Sequence, residues 1–385
     1  MEPLQVETPS FMTEDLKIFS DAVDKFLERE CVPHKEKWAA QQCVDRDIWY
    51  KAGEAGLLCP SAPEEYGGGG GTYAHEAVLM NRLGRSAVDG WGVSLHNAIV
   101  APYITHYGTE EQKRRWLPKL SSGEYVGAIA MSEPAAGSDL QGIKTTAKLD
   151  GNHYVINGSK TFITNGQTAN LIIVVAKTDP ALGAKGTSLM IVETDDVQGF
   201  RRGRNLDKIG QKTNDTSELF FDDVRIPTTN MLGTEEGRGF YQLMEQLPQE
   251  RLNVALGGMA VMERALEVTL DYVKQRQAFG KHIIEFQNTQ FKLAECKTQA
   301  TIAKVFCNHC TQLLLDGKLD PVTASMAKYW VSDLQCSIVD ECLQLHGGYG
   351  YMNEYPIAEM YRDSRVQRIY GGTNEIMKVL ISRSL

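Results

Sequence analysis

The chain has 385 residues, long enough for two or three domains, and 42% of them are hydrophobic, enough for a sizeable core. Its net charge of −9 argues against a nucleic-acid surface and against a polybasic membrane patch. No apolar run approaches a membrane span; the most apolar, Leu171–Ala176, fits a buried strand. The N-terminus, MEPLQVETPSFMTED, is acidic and lacks the basic and apolar regions of a leader. A cytoplasmic location is therefore expected, or the mitochondrial matrix if a leader has been removed. The eight cysteines are scattered rather than framed, which suits a reducing compartment.

Residues 1–124 read as a helical domain. Leu16, Phe19, Val23, Phe26 and Leu27 recur at helical spacing after Thr13, an expected N-cap. Thr109 and Gln112 have the spacing of a capping box, ahead of Lys113, Arg114 and Arg115. The five glycines Gly67–Gly71 invite a phosphate-loop reading, but no Gly-Lys-Ser/Thr follows and no strand leads in. A flexible connection is expected there.

From residue 125 to 238 the period changes from helical to alternating. Asp150-Gly151, Asn157-Gly158 and Asn165-Gly166 are hairpin signals and point to a small antiparallel sheet. Residues 171–177, 187–193 and 217–225 read as further strands. Ser132, Gly137, Ser138 and Thr164 put hydroxyls and bare backbone at strand ends, where polar ligands are usually held. The alternative is a plain surface hairpin sheet. Arg201, Arg202 and Arg204 are either solvated or placed to meet an anionic ligand.

Residues 239–385 return to helices. Three apolar stripes, Leu252–Val273, Leu293–Leu314 and Ala327–Leu345, describe an antiparallel bundle. Cys307 and Cys310 form a C-x-x-C, yet both lie on the second stripe and no second pair completes a zinc site. Buried packing is expected, with no metal.

Several strings together resemble one family. MSEPAAGSD (131–139) followed by NGSKTFITNG (157–166) is similar to the flavin-binding middle domain of the acyl-CoA dehydrogenases. The resemblance extends through NLDKIGQKTNDTSELFFDDVRIP (205–227), RQAFGK (276–281), QLHGGYGYMNEYP (344–356) and IYGGTNEIMK (369–378). It implies an α+β multidomain fold: an all-α N-terminal domain, a middle antiparallel β domain and a C-terminal four-helix bundle. LPQERL (247–252) and MAKYW (326–330) resemble the long-chain enzymes most, with isovaleryl-type enzymes next.

The activity implied is FAD-dependent α,β-dehydrogenation of an acyl-CoA to a trans-2-enoyl-CoA, with electrons passed to an electron-transferring flavoprotein. Medium-chain, long-chain or branched acyl groups are favoured. An acyl-CoA oxidase and a catalytically silent acyl-CoA binding protein are the alternatives. The resemblance puts the flavin against Met131, Ser132, Phe162, Ile163 and Thr164, with Ser138 nearby. It assigns the rest of FAD to Arg276, Phe279, Gln287, Gln344, Gly347, Gly348, Thr373, Asn374 and Glu375. Part of that set would reach across a dimer interface in a homotetramer, a dimer of dimers. Ser138, Arg251 and Tyr241 would meet the CoA arm; the alternative for Arg251 is an internal ion pair. Gly371 and Gly372 would line the thioester, with the Gly371 N–H on its carbonyl. Many family members carry a glutamate base at the position of Gly371; this chain does not. Leu247-Pro248-Gln249-Glu250-Arg251 matches the alternative arrangement, so Glu250 is the expected base. The competing reading makes Glu250 a solvated first-turn carboxylate after Pro248.

Overall fold

The computed structural model describes residues 4–86, 88 and 90–385. Helices α1 (Glu14–Phe26), α2 (Lys35–Gln41), α3 (Arg46–Glu54), α4 (Tyr73–Ser86), α5 (Val93–Leu95), α6 (Ala101–Tyr107) and α7 (Glu110–Ser121) form the first unit. The Thr13 hydroxyl caps α1, and Thr109 with Gln112 makes both bonds of a capping box on α7. Trp38, Trp49 and Trp91 fill the core between these helices.

The five glycines are not a flexible connection. The Gly68, Gly69, Gly70 and Gly71 amides donate to the carbonyls of Pro63, Cys59, Ala62 and Pro60. A Cβ on Gly68 would sit 2.3 Å from the Ala62 carbonyl oxygen. Glycine is needed there for close approach to the preceding loop, and the sequence signal for softness was a signal for tight packing.

The sheet contains β1 (Gly127–Ala130), β2 (Thr146–Asp150), β3 (His153–Thr164), β4 (Leu171–Lys177), β5 (Thr187–Glu193), β6 (Phe200–Asn205) and β7 (Thr216–Pro227). Most pairings are antiparallel, and β1 and the start of β2 add to β4 in parallel. Only the first of the three expected turns closes a hairpin: Asp150 faces His153 across Gly151 and Asn152. Asn157-Gly158 lies inside β3 at a register shift, where the Gly158 Cβ position is taken by Thr145. Asn165-Gly166 ends β3, but the strand that follows, β4, is not its partner. A dipeptide cannot distinguish a bulge from a turn, because both need the same backbone freedom. Of the three arginines, Arg202 is tied to the Ala169 carbonyl and Thr194, and Arg204 pairs with Glu218.

The C-terminal part holds α8 (Gly239–Gln275), a short hairpin of β8 (Gln277–Ala278) and β9 (Lys281–His282), then α9 (Gln287–Leu315) and α10 (Pro321–His346). Two short helices close it, α11 (Pro356–Ser364) and α12 (Asn374–Ser382). The α8 helix runs 37 residues and packs on α4, α9, α10 and α11, so it joins the first helices to the bundle. Cys307 and Cys310 are buried free thiols on the bundle-facing side of α9.

Glu76 on α4 is buried, with the Ser61 hydroxyl donating to its Oε1 at 2.7 Å. Burial pushes its pKa up to about 7, and the hydrogen bonds from Ser61 and Asn97 only partly oppose this. The native state therefore binds a proton that the unfolded chain releases between about pH 4.5 and 7, and stability falls as pH rises through that window. Glu76→Gln keeps an acceptor for Ser61 and should raise stability at pH 8 by up to about 3 kcal/mol. The gain should vanish near pH 4, which denaturant melts at the two pH values would check.

Candidate active site

The α8 helix starts at Gly239, and Pro248 lies inside it, so Glu250 is well within the helix. It is 6% exposed. These two facts exclude the solvated first-turn reading. Its Oε1 accepts a hydrogen bond from the Tyr103 hydroxyl at 2.8 Å. Burial pushes the Glu250 pKa up to about 7, against the opposing effects of the Tyr103 hydroxyl and the Arg251 charge. A carboxyl poised there can accept a proton near neutral pH. The helix is pinned at this point by its neighbours. The side-chain amides of Gln249 and Asn253 both donate to the Ala98 carbonyl, at 2.9 and 3.3 Å, and the Tyr73 hydroxyl donates to Asn253.

Arg251 is also buried, donating from Nη1 to the Ser325 hydroxyl at 3.3 Å, and its Nε has no partner. Burial lowers its pKa and the Glu250 charge opposes that effect. The buried guanidinium is thus coupled to the neighbouring Glu250 charge. Tyr241 and Ser138 are exposed, as an arm contact requires, with the Arg238 guanidinium 5.2 Å from the Tyr241 ring centroid.

The glycine loop comes to the same part of α8. Gly371 and Gly372 have φ of 63° and 90°, and a Cβ on Gly371 would lie 3.2 Å from Val254 Cγ2. Val254 is one turn beyond Glu250. The buried Lys328 ammonium donates to the Gly372 carbonyl at 2.7 Å and to Asn374 Oδ1 at 2.8 Å. Burial pushes the Lys328 pKa down to about 8. Asn374 in turn donates to Ser332 and Asp333 on α10, both at 2.9 Å. Its side chain is therefore engaged inside the protein and anchors the loop. Thr373 caps α12, and Glu375 in the first turn is exposed.

A second group gathers at the ends of β1 and β3. The Thr161 amide donates to the Ser132 carbonyl at 3.0 Å, which ties the two strand ends together. Beneath them Lys160, fully buried, pairs with Glu133 at 3.0 Å and donates to the Met131 carbonyl at 2.9 Å. Glu133 also accepts from the Lys144 and Thr145 amides. Above this clamp a register shift in β3 turns Phe162 outward at φ 60°, 70% exposed, with Ile163 buried behind it. Ser132 and Thr164 are half-buried beside it.

A third group surrounds the β8–β9 hairpin. Phe279, at φ 52° in its turn, is 95% exposed. Arg276 lies just before β8, with its guanidinium 5.6 Å from the Tyr349 ring centroid. Gln287, Gln344, Gly347 and Gly348 are exposed, and a Cβ on either glycine would meet nothing within 4 Å. Among the described residues no hydrogen bond or ion pair joins these three groups. The donor set fits FAD: exposed strained phenylalanines offer flat faces, hydroxyls and bare backbone offer polar contacts, and Arg276 offers a cation for phosphate. Among the described residues no cluster of His, Cys, Asp or Glu is arranged to hold a metal ion.

Sequence reasoning passed over Tyr103, Glu133, Lys160 and Lys328. Glu133, Lys160 and Lys328 stand inside quoted motifs, but a charged residue in a string does not announce that it is buried. Tyr103 carried no signal beyond one aromatic in an apolar helix.

Comparison with known proteins assigns the class. The acyl-CoA dehydrogenase N-terminal, middle and C-terminal domain models match residues 13–124, 128–224 and 237–385. The chain belongs to the acyl-CoA dehydrogenase family, whose members are FAD enzymes. It is 50% identical over 370 residues to the mitochondrial long-chain specific acyl-CoA dehydrogenase of Mus musculus, covering 96% of this chain and 86% of that one. The mitochondrial isovaleryl-CoA dehydrogenase of Oryza sativa subsp. japonica is 38% identical over 371 residues, covering 95% and 90%. The crystal structure of an acyl-CoA dehydrogenase from Geobacillus kaustophilus superposes with a TM-score of 0.95 at 48% identity, covering 98% and 99%.

The buried Lys160–Glu133 pair generates a prediction. Lys160→Met leaves a buried carboxylate unpaired and should cost about 3–5 kcal/mol at neutral pH. The penalty should shrink in acid, where Glu133 protonates, and adding Glu133→Gln should recover part of it. Urea melts of the single and double variants would check this.

Proposed function

We propose that the protein removes two hydrogens from the α and β carbons of an acyl-CoA thioester, with Glu250 taking the α proton. The observation that carries this reading is the buried Glu250 carboxyl, hydrogen-bonded by Tyr103 and lying one helical turn before Val254, the residue that Gly371 approaches. FAD, when bound, supplies the hydride acceptor, a job no side chain can do. Met131, Ser132, Phe162, Ile163 and Thr164 would hold its ring system. Arg276, Phe279, Gln287, Gln344, Gly347, Gly348, Thr373 and Glu375 would hold the remainder. The Gly371 N–H would donate to the thioester carbonyl, where charge develops as the α proton leaves. Ser138 and Tyr241 would meet the CoA arm.

The exposure of Phe279, Gly347 and Gly348 supports a cofactor site completed by a second subunit, and hence a dimer of dimers. An electron-transferring flavoprotein is the onward acceptor in this reading. The eight free cysteines suit the cytoplasm or the mitochondrial matrix. No helix among the described residues is long and apolar enough to cross a membrane.

Glu250→Gln is the decisive variant. It should retain flavin and bind acyl-CoA, yet reduce its flavin at least ~10²–10⁴-fold more slowly in stopped flow. Adding Gly371→Glu should restore only part of the rate. The left-handed backbone costs a larger residue about 1–2 kcal/mol there, and Val254 must also give way. Near-normal flavin reduction by Glu250→Gln would show that the proton goes elsewhere, whereas a parent protein whose flavin no acyl-CoA reduces would favour the silent-binder reading.

For substrate class, medium- to long-chain or branched acyl groups are favoured, in keeping with the long-chain relative. A panel of acyl-CoA thioesters with a dye acceptor should give higher kcat/KM for these than for butyryl-CoA. Oxygen should be a poor acceptor in the same assay; rapid peroxide production would identify an oxidase.

A further inference from the structure

Among the described residues, the hydrogen bond on the Glu250 carboxylate comes from Tyr103, which is itself fully buried. A buried phenol needs a partner for its hydroxyl, and a buried carboxylate needs donors. Each supplies the other. The placement of Tyr103 has a backbone cause. A π turn at His96–Val100 precedes α6, and such a turn inserts one residue into the helical run. That rotates everything after it by about 100° about the helix axis. Pro102 in the first turn of α6 then fixes the backbone directly before Tyr103.

We propose that Tyr103 is a positioning residue for the base: its hydroxyl, donating to Glu250 Oε1, holds the carboxylate in its ionised, proton-accepting state. This rests on the reading of Glu250 as the base. The charged and titratable groups around the pair are few. Tyr107 on α6 lies 6.1 Å from Tyr103 between ring centroids, and Glu250 opposes its ionisation. His106 on the same helix is bonded to Gln246 on α8. Arg251 is the neighbouring cation on α8, and Lys328 approaches Arg251 from α10. Burial of Glu250 works towards a neutral carboxyl, while Tyr103 and Arg251 work towards the ion. Tyr103 is the member of that set bonded to the carboxylate.

The sign follows. Glu250 accepts a proton only when ionised, so turnover falls on the acid side of its titration. Removing the Tyr103 hydroxyl disfavours the ion and moves that acid limb to higher pH. The base that remains is stronger once ionised, so the loss should disappear in alkaline solution. A tyrosine that merely filled space would give a loss independent of pH.

The test is the pH dependence of kcat/KM for the flavin-loaded Tyr103→Phe protein, since kcat/KM reports the free enzyme. The acid limb should move up by about one pH unit or more, the size of a charge-assisted hydrogen bond. Turnover below the limb should fall about 10-fold and converge with the parent above it. Flavin content and acyl-CoA binding should not change. Replacing Tyr103 with 3-fluorotyrosine, nearly the same shape but a stronger donor, should move the limb the other way, and this stands even if Tyr103→Phe fails to fold. Unshifted limbs, or a uniform loss across pH, would overturn the role of Tyr103 while leaving the base in place. A Glu250→Gln protein that still turns over would instead overturn the base assignment on which it rests.

Discussion

A carboxyl buried in a seam between helices is the constraint on which this molecule turns. Removing a carboxylate from water is expensive, and the cost falls only if the group protonates or finds donors. Among the described residues, the seam around Glu250 provides one phenol and one neighbouring guanidinium. That holds the group between neutral and ionised instead of committing it to either state. Such a balance requires the two helices to stay in register. The amides of Gln249 and Asn253, one turn apart on α8, grip the same Ala98 carbonyl and supply that register. A shift of α8 by one turn would break both bonds and carry Glu250 away from Tyr103.

The glycine loop obeys the complementary logic. Gly371 and Gly372 carry no side chains that could hold their own backbone in place, and both sit at positive φ. An amide used as an oriented donor must nonetheless point in one direction. Orientation therefore has to come from outside the loop. Lys328 provides it from α10 by holding the Gly372 carbonyl, and Asn374 ties the same lysine to Ser332 and Asp333. The Glu250 carboxyl on α8 and the glycine loop before α12 are thus each held by buried polar groups from other helices. The strand-end group is built in the same way, with Lys160 holding the Met131 carbonyl from below.

The parts that were legible in the sequence were those written as periodicity or as local capping. The stripe on α9, the alternation of β3 and the box at Thr109 follow from rules that look only a few residues along the chain. Glu250 was singled out by the resemblance of the string around it, and its burial was not legible there. What could not be read was burial of charge. Glu133 and Lys160 are 27 positions apart, and only the bond that ties the segment after β1 to β3 brings them together. Lys328 meets Gly372 across 44 positions and Tyr103 meets Glu250 across 147. Dipeptide rules also failed where one backbone need has two uses, so Asn157-Gly158 signalled a turn and made a bulge. The glycines at 67–71 show the same limit, because the absence of side chains permits either mobility or close packing.

Backbone strain and apolar exposure coincide at two phenylalanines, and the coincidence has a physical meaning. Phe279 and Gly280 are the two central residues of the β8–β9 turn, both at positive φ, where asparagine or aspartate before glycine is the usual choice. Placing phenylalanine there costs backbone energy and leaves a ring 95% exposed, so within one chain it loses on both counts. Phe162 repeats the pattern at the register shift in β3, with φ 60° and 70% exposure. Among the described residues Phe279 has only an edge-to-face contact with Phe286 to set against this cost. A flat ligand or a second subunit laid against those rings would remove the exposed area from water and offset the strain. The two positions that a folding argument would replace first are the two that an assembled, cofactor-bound protein has most reason to keep.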